Sequence, residues 1–257
     1  MKAVTLSPQY SLSHLAPSGR VGVIALATDF NIEHELTKLL PRDVRAFTSR
    51  VKNINPLTIE NLKTMAPDIT RAADCILPGT DLDVVVYACT SGTIAIGEHQ
   101  IKELIHIARP GVLVTNPVSA CLAAFDSLGA KKISILTPYT EAVNRELASF
   151  FETQGLEVIN IAGFAFEDDT AMTFISPEDI AQAAITICDP EADALFISCT
   201  ALRAAEVVSR IEAVIEKPVV TSNLALVWHT LMLLNNKGPI KGYGVLLEAP
   251  YSISDSN

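Results

Sequence analysis

Two short stretches of the chain carry the same chemistry. Asp83-Val84-Val85-Val86-Tyr87-Ala88-Cys89-Thr90-Ser91-Gly92-Thr93 and Asp193-Ala194-Leu195-Phe196-Ile197-Ser198-Cys199-Thr200-Ala201-Leu202-Arg203 each run from an acid through an apolar segment to a cysteine and a hydroxyl residue. Apolar runs of that length, bounded by small polar residues, read as buried strands of a parallel sheet. The hydroxyl residues that follow read as helix N-caps. Both cysteines are therefore expected between a strand end and a helix start, where open α/β sheets place their ligands. A thiol of pKa ~8.5 is mostly protonated at neutral pH. A helix N-terminus, worth up to ~2 kcal/mol to an anion, lowers that value by roughly one to one and a half units. One thiolate facing one thiol across a carbon centre is an acid–base pair. The first removes a proton or adds to a double bond, and the second delivers a proton on the other face. Thr90, Ser91, Thr93 and Thr200, with the free backbone N–H groups, would cradle a carboxylate or an enediolate. Thr90 and Thr200 also serve equally well as plain helix caps.

The remaining elements are those that would position this pair. Strands are expected over Val21–Ala27, Val44–Val51, Val84–Ala88, Gly111–Thr115, Lys132–Thr137, Leu156–Gly163, the second cysteine run and Val219–Ser222, with a closing strand at Tyr243–Leu247. Helices are expected between them: Glu33–Leu40, Ile59–Ala73 with a break near Pro67, Thr90 onward to Ile107, Val118–Leu128, Glu141–Thr153, from the Ser176-Pro177-Glu178-Asp179 opening to about Cys188, from Thr200 to Ile215, and Leu224–Leu234. This alternation predicts an α/β fold with parallel sheets flanked by helices. The order then repeats: Val21 pairs with Ile133, Cys89 with Cys199 and Val112 with Val219, at offsets of 112, 110 and 107 residues. A near-constant offset of that size means a duplicated lobe. The boundaries follow as a first lobe over 18–116 plus 224–248 and a second over 117–223. Pseudo-twofold symmetry would set Cys89 and Cys199 on opposite walls of one cleft, with Tyr139, Asn116 and Asn223 at other strand ends on the same rim.

Composition narrows the partners. A net charge of −10 without a Lys/Arg cluster argues against nucleic acid. No apolar stretch reaches the ~20 residues needed to span a bilayer, and Met1 to Gly19 holds no signal-type apolar core, so a cytoplasmic location is the default. Five cysteines without CxxC or zinc spacing read as free thiols, with Cys75, Cys121 and Cys188 as buried small hydrophobes. There is neither a P-loop nor a GxGxxG, and the expected chemistry needs no metal or organic cofactor. His99, His106, Trp228 and His229 read as surface or packing residues. Arg203, placed in the first turn of its expected helix, is electrostatically misplaced and hints at an anionic partner.

On Ala88-Cys89-Thr90-Ser91-Gly92-Thr93, Ser198-Cys199-Thr200, Thr137-Pro138-Tyr139 and Ser222-Asn223-Leu224-Ala225-Leu226-Val227-Trp228-His229, the sequence resembles the Asp/Glu/hydantoin racemase superfamily. Within it the resemblance is to the maleate cis–trans isomerase and arylmalonate decarboxylase branch, including racemase-like proteins of ectoine utilisation. It extends over nearly all the chain after Gly19. It implies two similar lobes, an interlobe site, no cofactor, two catalytic cysteines, a small carboxylate substrate, and a homodimer as a common assembly. Tyr139 matches the tyrosine that holds a substrate carboxylate. In the decarboxylases one cysteine position is glycine, so two cysteines point to an isomerase or racemase. Where the maleate isomerases use asparagines to bind a carboxylate, this chain has Asp29 and, in a later loop, Asp168 or Asp169. Ionised aspartates repel a dicarboxylate and welcome an ammonium, which points to an amino acid or N-acylated diamino acid. The alternatives are an arylmalonate-type decarboxylase and a non-catalytic carboxylate-binding sensor.

Overall fold

The computed structural model describes residues 1, 3–4, 13, 15–236 and 238–248. Most of the stretch from Met1 to Gly19 lies outside them. The first half of the chain forms β1 (Gly19–Leu26), α1 (Ile32–Leu39), β2 (Val44–Val51), α2 (Ile59–Lys63), α3 (Ala66–Asp74), β3 (Val84–Ala88), α4 (Thr90–Ile96), α5 (Glu98–Ala108) and β4 (Leu113–Thr115). The second half forms α6 (Pro117–Leu128), β5 (Lys132–Thr137), α7 (Glu141–Thr153), β6 (Glu157–Gly163), α8 (Asp169–Met172), α9 (Pro177–Ile187), β7 (Ala194–Ile197), a 3₁₀ turn (Ala205–Val207), α10 (Val208–Ile215), β8 (Val219–Thr221), α11 (Ser222–Leu233) and α12 (Val245–Glu248).

The strands make two parallel four-stranded sheets, ordered β2-β1-β3-β4 and β6-β5-β7-β8. The two orders are the same, strand for strand, as duplication requires. In each sheet the cysteine-bearing strand is internal, and β3 and β7 are buried along their whole length. A strand covered on both faces can be apolar at every position, which is why these runs do not alternate. Helix α11 is buried at nine of its positions and packs against α6, β3, β4 and β8. A helix apolar on all sides must be enclosed, and α11 is enclosed by both halves.

Local chemistry sets most boundaries. Thr58 accepts from the Asn61 amide to cap α2, Asn116 accepts from Val118 and Ser119 to cap α6, and Ser176 accepts from Asp179 to cap α9. Pro67 sits in the first turn of α3, and the expected helix over Ile59–Ala73 is accordingly two. The helix after Cys89 is also divided, at Gly97 with φ 96°.

Four expectations are corrected. Tyr243–Leu247 is not a strand. The carbonyl of Gly244 accepts from the amides of Leu247 and Glu248, and the Val245 amide donates to the Glu212 carboxylate, so the stretch winds into α12. A short apolar run does not distinguish the two outcomes. No helix begins at Thr200; the chain turns until Ala205. Arg203 is consequently not in a helical first turn, and one of its guanidinium N–H groups donates to the Ile175 carbonyl at 3.3 Å. Finally, of the three cysteines expected to be buried only Cys121 is; Cys75 is exposed and Cys188 half-buried.

Gly163, at the end of β6, makes a close approach. A Cβ there would lie 2.5 Å from the Tyr139 carbonyl oxygen and 2.5 Å from Asn144 Nδ2. Because one of those atoms is backbone, Gly163→Ala should cost about 1–3 kcal/mol and lower Tm by roughly 2–10 °C in a melting experiment.

Candidate active site

The two cysteines leave their strands differently. Cys89 has extended backbone (φ −151°), caps α4, and its sulfur accepts from the Gly92 amide at 3.2 Å, with Ser91 Oγ 3.8 Å away. Cys199 has φ 110°, in the region that favours glycine. A non-glycine residue held there costs of order 1–3 kcal/mol and persists only where its surroundings over-determine it. This kink is the physical reason why no helix starts at Thr200. The Cys199 amide donates to Ser222 Oγ at 3.0 Å, and the Cys199 thiol points to Met172 Sδ at 3.7 Å.

Side chains from both halves meet here. Thr200 Oγ1 donates to Asp29 Oδ2 at 2.8 Å, while Asp29 Oδ1 accepts from the amides of Asn31 and Ile32 at 2.8 and 2.9 Å. Thr90 Oγ1 and Ser222 Oγ share a hydrogen bond of 2.8 Å. Asp169 Oδ2 accepts from the Thr28 hydroxyl and from Asn53 Nδ2. Asp168 faces away from the thiols: it caps α8 and accepts from Asn55 Nδ2 at 3.1 Å. Tyr139, 1% exposed, is hydrogen-bonded to Cys199 and lies near Cys89. Cys89, Cys199, Tyr139, Asp29, Asp169, Thr90, Ser91 and Thr200 thus surround one locus. Asn223 is one step removed, donating to the Thr200 carbonyl and to Glu35. Asn116 turns toward its own helix and Ser119.

Sequence reasoning did not reach Asn31, Glu35, Asn53, Asn55 or Met172. The first two lie on or beside α1, where nothing in the pattern separates an inward polar residue from an outward one. The cluster Asn53-Ile54-Asn55-Pro56 reads as an ordinary turn, and Met172 as core. His99 pairs with Glu103 on the surface, His106 bonds the Val112 carbonyl, and His229 bonds Thr115 Oγ1.

The electrostatics differ from the sequence expectation. Burial, then the nearby Asp169 carboxylate, push the Cys89 thiol up to about 12, against the opposing pull of the Gly92 amide and Ser91. The same two causes raise Cys199 well above the ordinary thiol value. Both thiols are protonated in the ligand-free protein, because desolvation and a like charge outweigh the helix end. Burial also raises Asp29 and Asp169 above the ordinary carboxylate range. Burial raises Glu35 from 4.5 to about 7.

Two four-stranded parallel α/β halves of the same strand order, each with a cysteine just beyond an internal strand, define a two-lobed α/β protein. The chain belongs to the arylmalonate decarboxylase family, whose model matches residues 21–247. It is similar to the maleate isomerase of Alcaligenes faecalis, 26% identical over 237 residues covering 85% of this chain and 91% of that protein. The maleate isomerase of Nocardia farcinica is 24% identical over 250 residues, covering 92% and 98%. A cysteine-to-serine variant of the N. farcinica maleate cis–trans isomerase, solved with a covalently bound succinylcysteine intermediate, matches with a TM-score of 0.81 at 20% identity, covering 90% of this chain and 98% of that one.

Two outcomes follow from the buried charges. Iodoacetamide at about pH 8 should label exposed Cys75 at least ~10²-fold faster than Cys89 or Cys199, read by peptide mass spectrometry. For Glu35 the folded state keeps a proton that the unfolded chain has lost. Its stabilising contribution is therefore complete below pH 4.5 and is lost as pH rises to about 7. Glu35→Gln should melt above the wild type at about pH 8, by up to ~3 kcal/mol, and level with it near pH 4.

Proposed function

We propose that the chain is a cofactor-independent isomerase of small carboxylates in which Cys89 becomes the attacking thiolate and Cys199 its acid–base partner. One observation carries this reading: two buried thiols, from equivalent strands of the two halves, share Tyr139 and Asp169 as neighbours. The roles follow from the contacts of the two sulfurs. The Gly92 amide and Ser91 favour the Cys89 anion, and the Ala201 amide and Tyr139 pull the same way on Cys199. The assignment therefore rests on the helix-capping position of Cys89 and on the contact of the Cys199 thiol with Met172.

For a cis-enedioate the steps balance without an added reagent. The Cys89 thiolate forms a carbon–sulfur bond at one alkene carbon, and the alkene electron pair moves into the carboxylate on the other. Cys199 delivers its proton to that second carbon, leaving a succinyl thioether. The former double bond is now single and rotates. Cys199 then recovers the proton, the carbon–sulfur bond breaks, and the trans alkene leaves. The names of the relatives support this substrate class, as does the succinylcysteine held by the Nocardia protein.

Removing a proton from Cys89 at pH 8 costs about 5 kcal/mol when its pKa is about 12. Asp169 is placed to lower that cost. Accepting the Cys89 proton cancels the like charge that raises both thiols. Met172 of α8 touches the Cys199 thiol, and Ala171 of the same helix lines an apolar groove of about 950 Å³ with Leu136, Phe164, Phe166 and Phe174.

A second reading, racemisation or epimerisation of an amino acid or N-acylated diamino acid, is favoured by Asp169. Its Oδ1 accepts no hydrogen bond from the described residues, and its charged neighbours Asp29 and Asp168 are acids. Asp29 has both oxygens engaged within the protein, so an ammonium would be met by Asp169. A panel of carboxylates in heavy water separates the readings: maleate-to-fumarate conversion supports the first, solvent deuterium at a saturated α-carbon the second. Under either, Cys89→Ser and Cys199→Ser should each cut turnover by ~10²–10⁴, measured by NMR. Full activity in either variant removes the two-thiol mechanism.

A further inference from the structure

Helix α1 carries a carboxyl group that the thiol chemistry does not use. Glu35 is 5% exposed and faces inward beneath the segment that follows Cys199. Asn223 Nδ2 donates to Glu35 Oε2 at 2.8 Å and to the Thr200 carbonyl at 2.9 Å. Asn31 Nδ2 donates to the same carbonyl at 3.2 Å and to that of Leu202 at 2.9 Å. The Ala205 amide donates to Glu35 Oε1 at 3.4 Å. The turn from Thr200 to Ala205, which replaces the expected helix, is therefore held from below by Glu35 and two asparagines. The residue at its head is Cys199, whose φ of 110° has to be imposed by its surroundings.

The other end of the Asn223 amide makes the arrangement two-valued. Asn223 Oδ1 is buried and has no hydrogen-bond partner among the described residues. While Glu35 is a carboxylate it can only accept, so the amide must present Nδ2 to it, and the same nitrogen reaches Thr200. A carboxylic acid can instead donate to Oδ1 of a turned amide. The turned amide withdraws its N–H from the Thr200 carbonyl. Either arrangement satisfies Glu35, but only one keeps the shorter hydrogen bond from Asn223 to the Thr200 carbonyl; in the other, Asn31 alone is left on that oxygen.

From these contacts we infer that Glu35 is a positioning residue for Cys199: its carboxylate, acting through Asn223, holds the Thr200 carbonyl and with it the strained Cys199 backbone, and protonation of Glu35 releases that hold. The groups facing Glu35 are His34 and Lys38 on its own helix, Arg203 and Glu206 from the segment after Cys199, and Tyr243 from the C-terminal stretch, around a pocket of about 160 Å³. Asp29 lies at the start of α1 with Arg50 of β2 beyond it, and α11 contributes Asn223. Burial brings the Glu35 carboxyl to about 7, so the release falls inside the working pH range of an ordinary enzyme. The effect on turnover rests on the proposed use of Cys199; the relay itself does not.

The Asn223 side-chain amide, followed by ¹⁵N NMR from about pH 5 to pH 9, reads the relay with no substrate present. Its resonances should titrate with a midpoint of about 7 in the wild type and show no such step in Glu35→Gln. With maleate as the kinetic probe, wild-type kcat should rise through the same midpoint. Glutamine, like the protonated acid, can either accept from the Asn223 amide or donate to its turned oxygen, so Glu35→Gln should lose the pH limb and sit near the low-pH wild-type kcat. Glu35→Leu can do neither and should lose tenfold or more in kcat from the wild-type plateau with KM changed less than about twofold. An Asn223 signal that is flat in the wild type, or that titrates unchanged in Glu35→Gln, overturns the inference. If maleate is not turned over, the proposed reaction fails while the NMR titration still decides the relay.

Discussion

The structure depends on one buried hydrogen bond, from the hydroxyl of Thr200 to the carboxylate of Asp29. Its acceptor ends β1 of the first half and caps α1 with its other oxygen, and its donor follows the second cysteine. A buried carboxylate oxygen without a partner is costly, so the two halves cannot separate without exposing or orphaning Asp29. Thr90 with Ser222, Asp169 with Thr28 and Asn53, and Asn31 with Thr200 and Leu202 repeat the same tie from other directions. Neither lobe contains a complete site. The locus exists because polar side chains of one half are the hydrogen-bond partners of the other.

Duplication supplies two equivalent thiols, and the chemistry proposed for them requires that they differ. The sheets keep the symmetry: both run in the same strand order, and both cysteines end internal strands. The turns break it. Cys89 leaves β3 in extended conformation and receives an amide hydrogen from its own helix, whereas Cys199 leaves β7 through a strained kink and faces Met172. One sulfur is thereby provided with donors that favour an anion. The other meets the Met172 sulfur, although the Ala201 amide and Tyr139 bond it as well.

The surroundings of the two thiols are acidic and buried, which inverts the simplest electrostatic expectation. A helix end lowers a thiol pKa by one or two units at most, while full burial beside a carboxylate raises it by more. In the chemistry proposed above both thiols rest neutral, and one has to be ionised before it can attack. Asp169 is the switch point in this scheme, since its own charge is the largest electrostatic contribution to both thiols.

Much of this was legible in the residues. The apolar runs, the Ser176-Pro177 helix opening and the offset between the halves determined the parallel α/β architecture and placed both cysteines at strand ends, because these depend on local periodicity and on hydrogen bonds within a few residues. Asn116, expected on the cleft rim, caps its own helix instead. The conformation after Cys199 was not legible. Its sequence suits a helix start, and only contacts from Asn31, Asn223 and Ser222 hold it otherwise. The short apolar run at Val245–Leu247 was undecided for the same reason, and Glu212, more than thirty residues earlier in the chain, settled it. The protonation of the thiols, the selection of Asp169 over Asp168 and the inward turn of Glu35 follow from burial and distance across the lobe interface, quantities that a one-dimensional pattern does not contain.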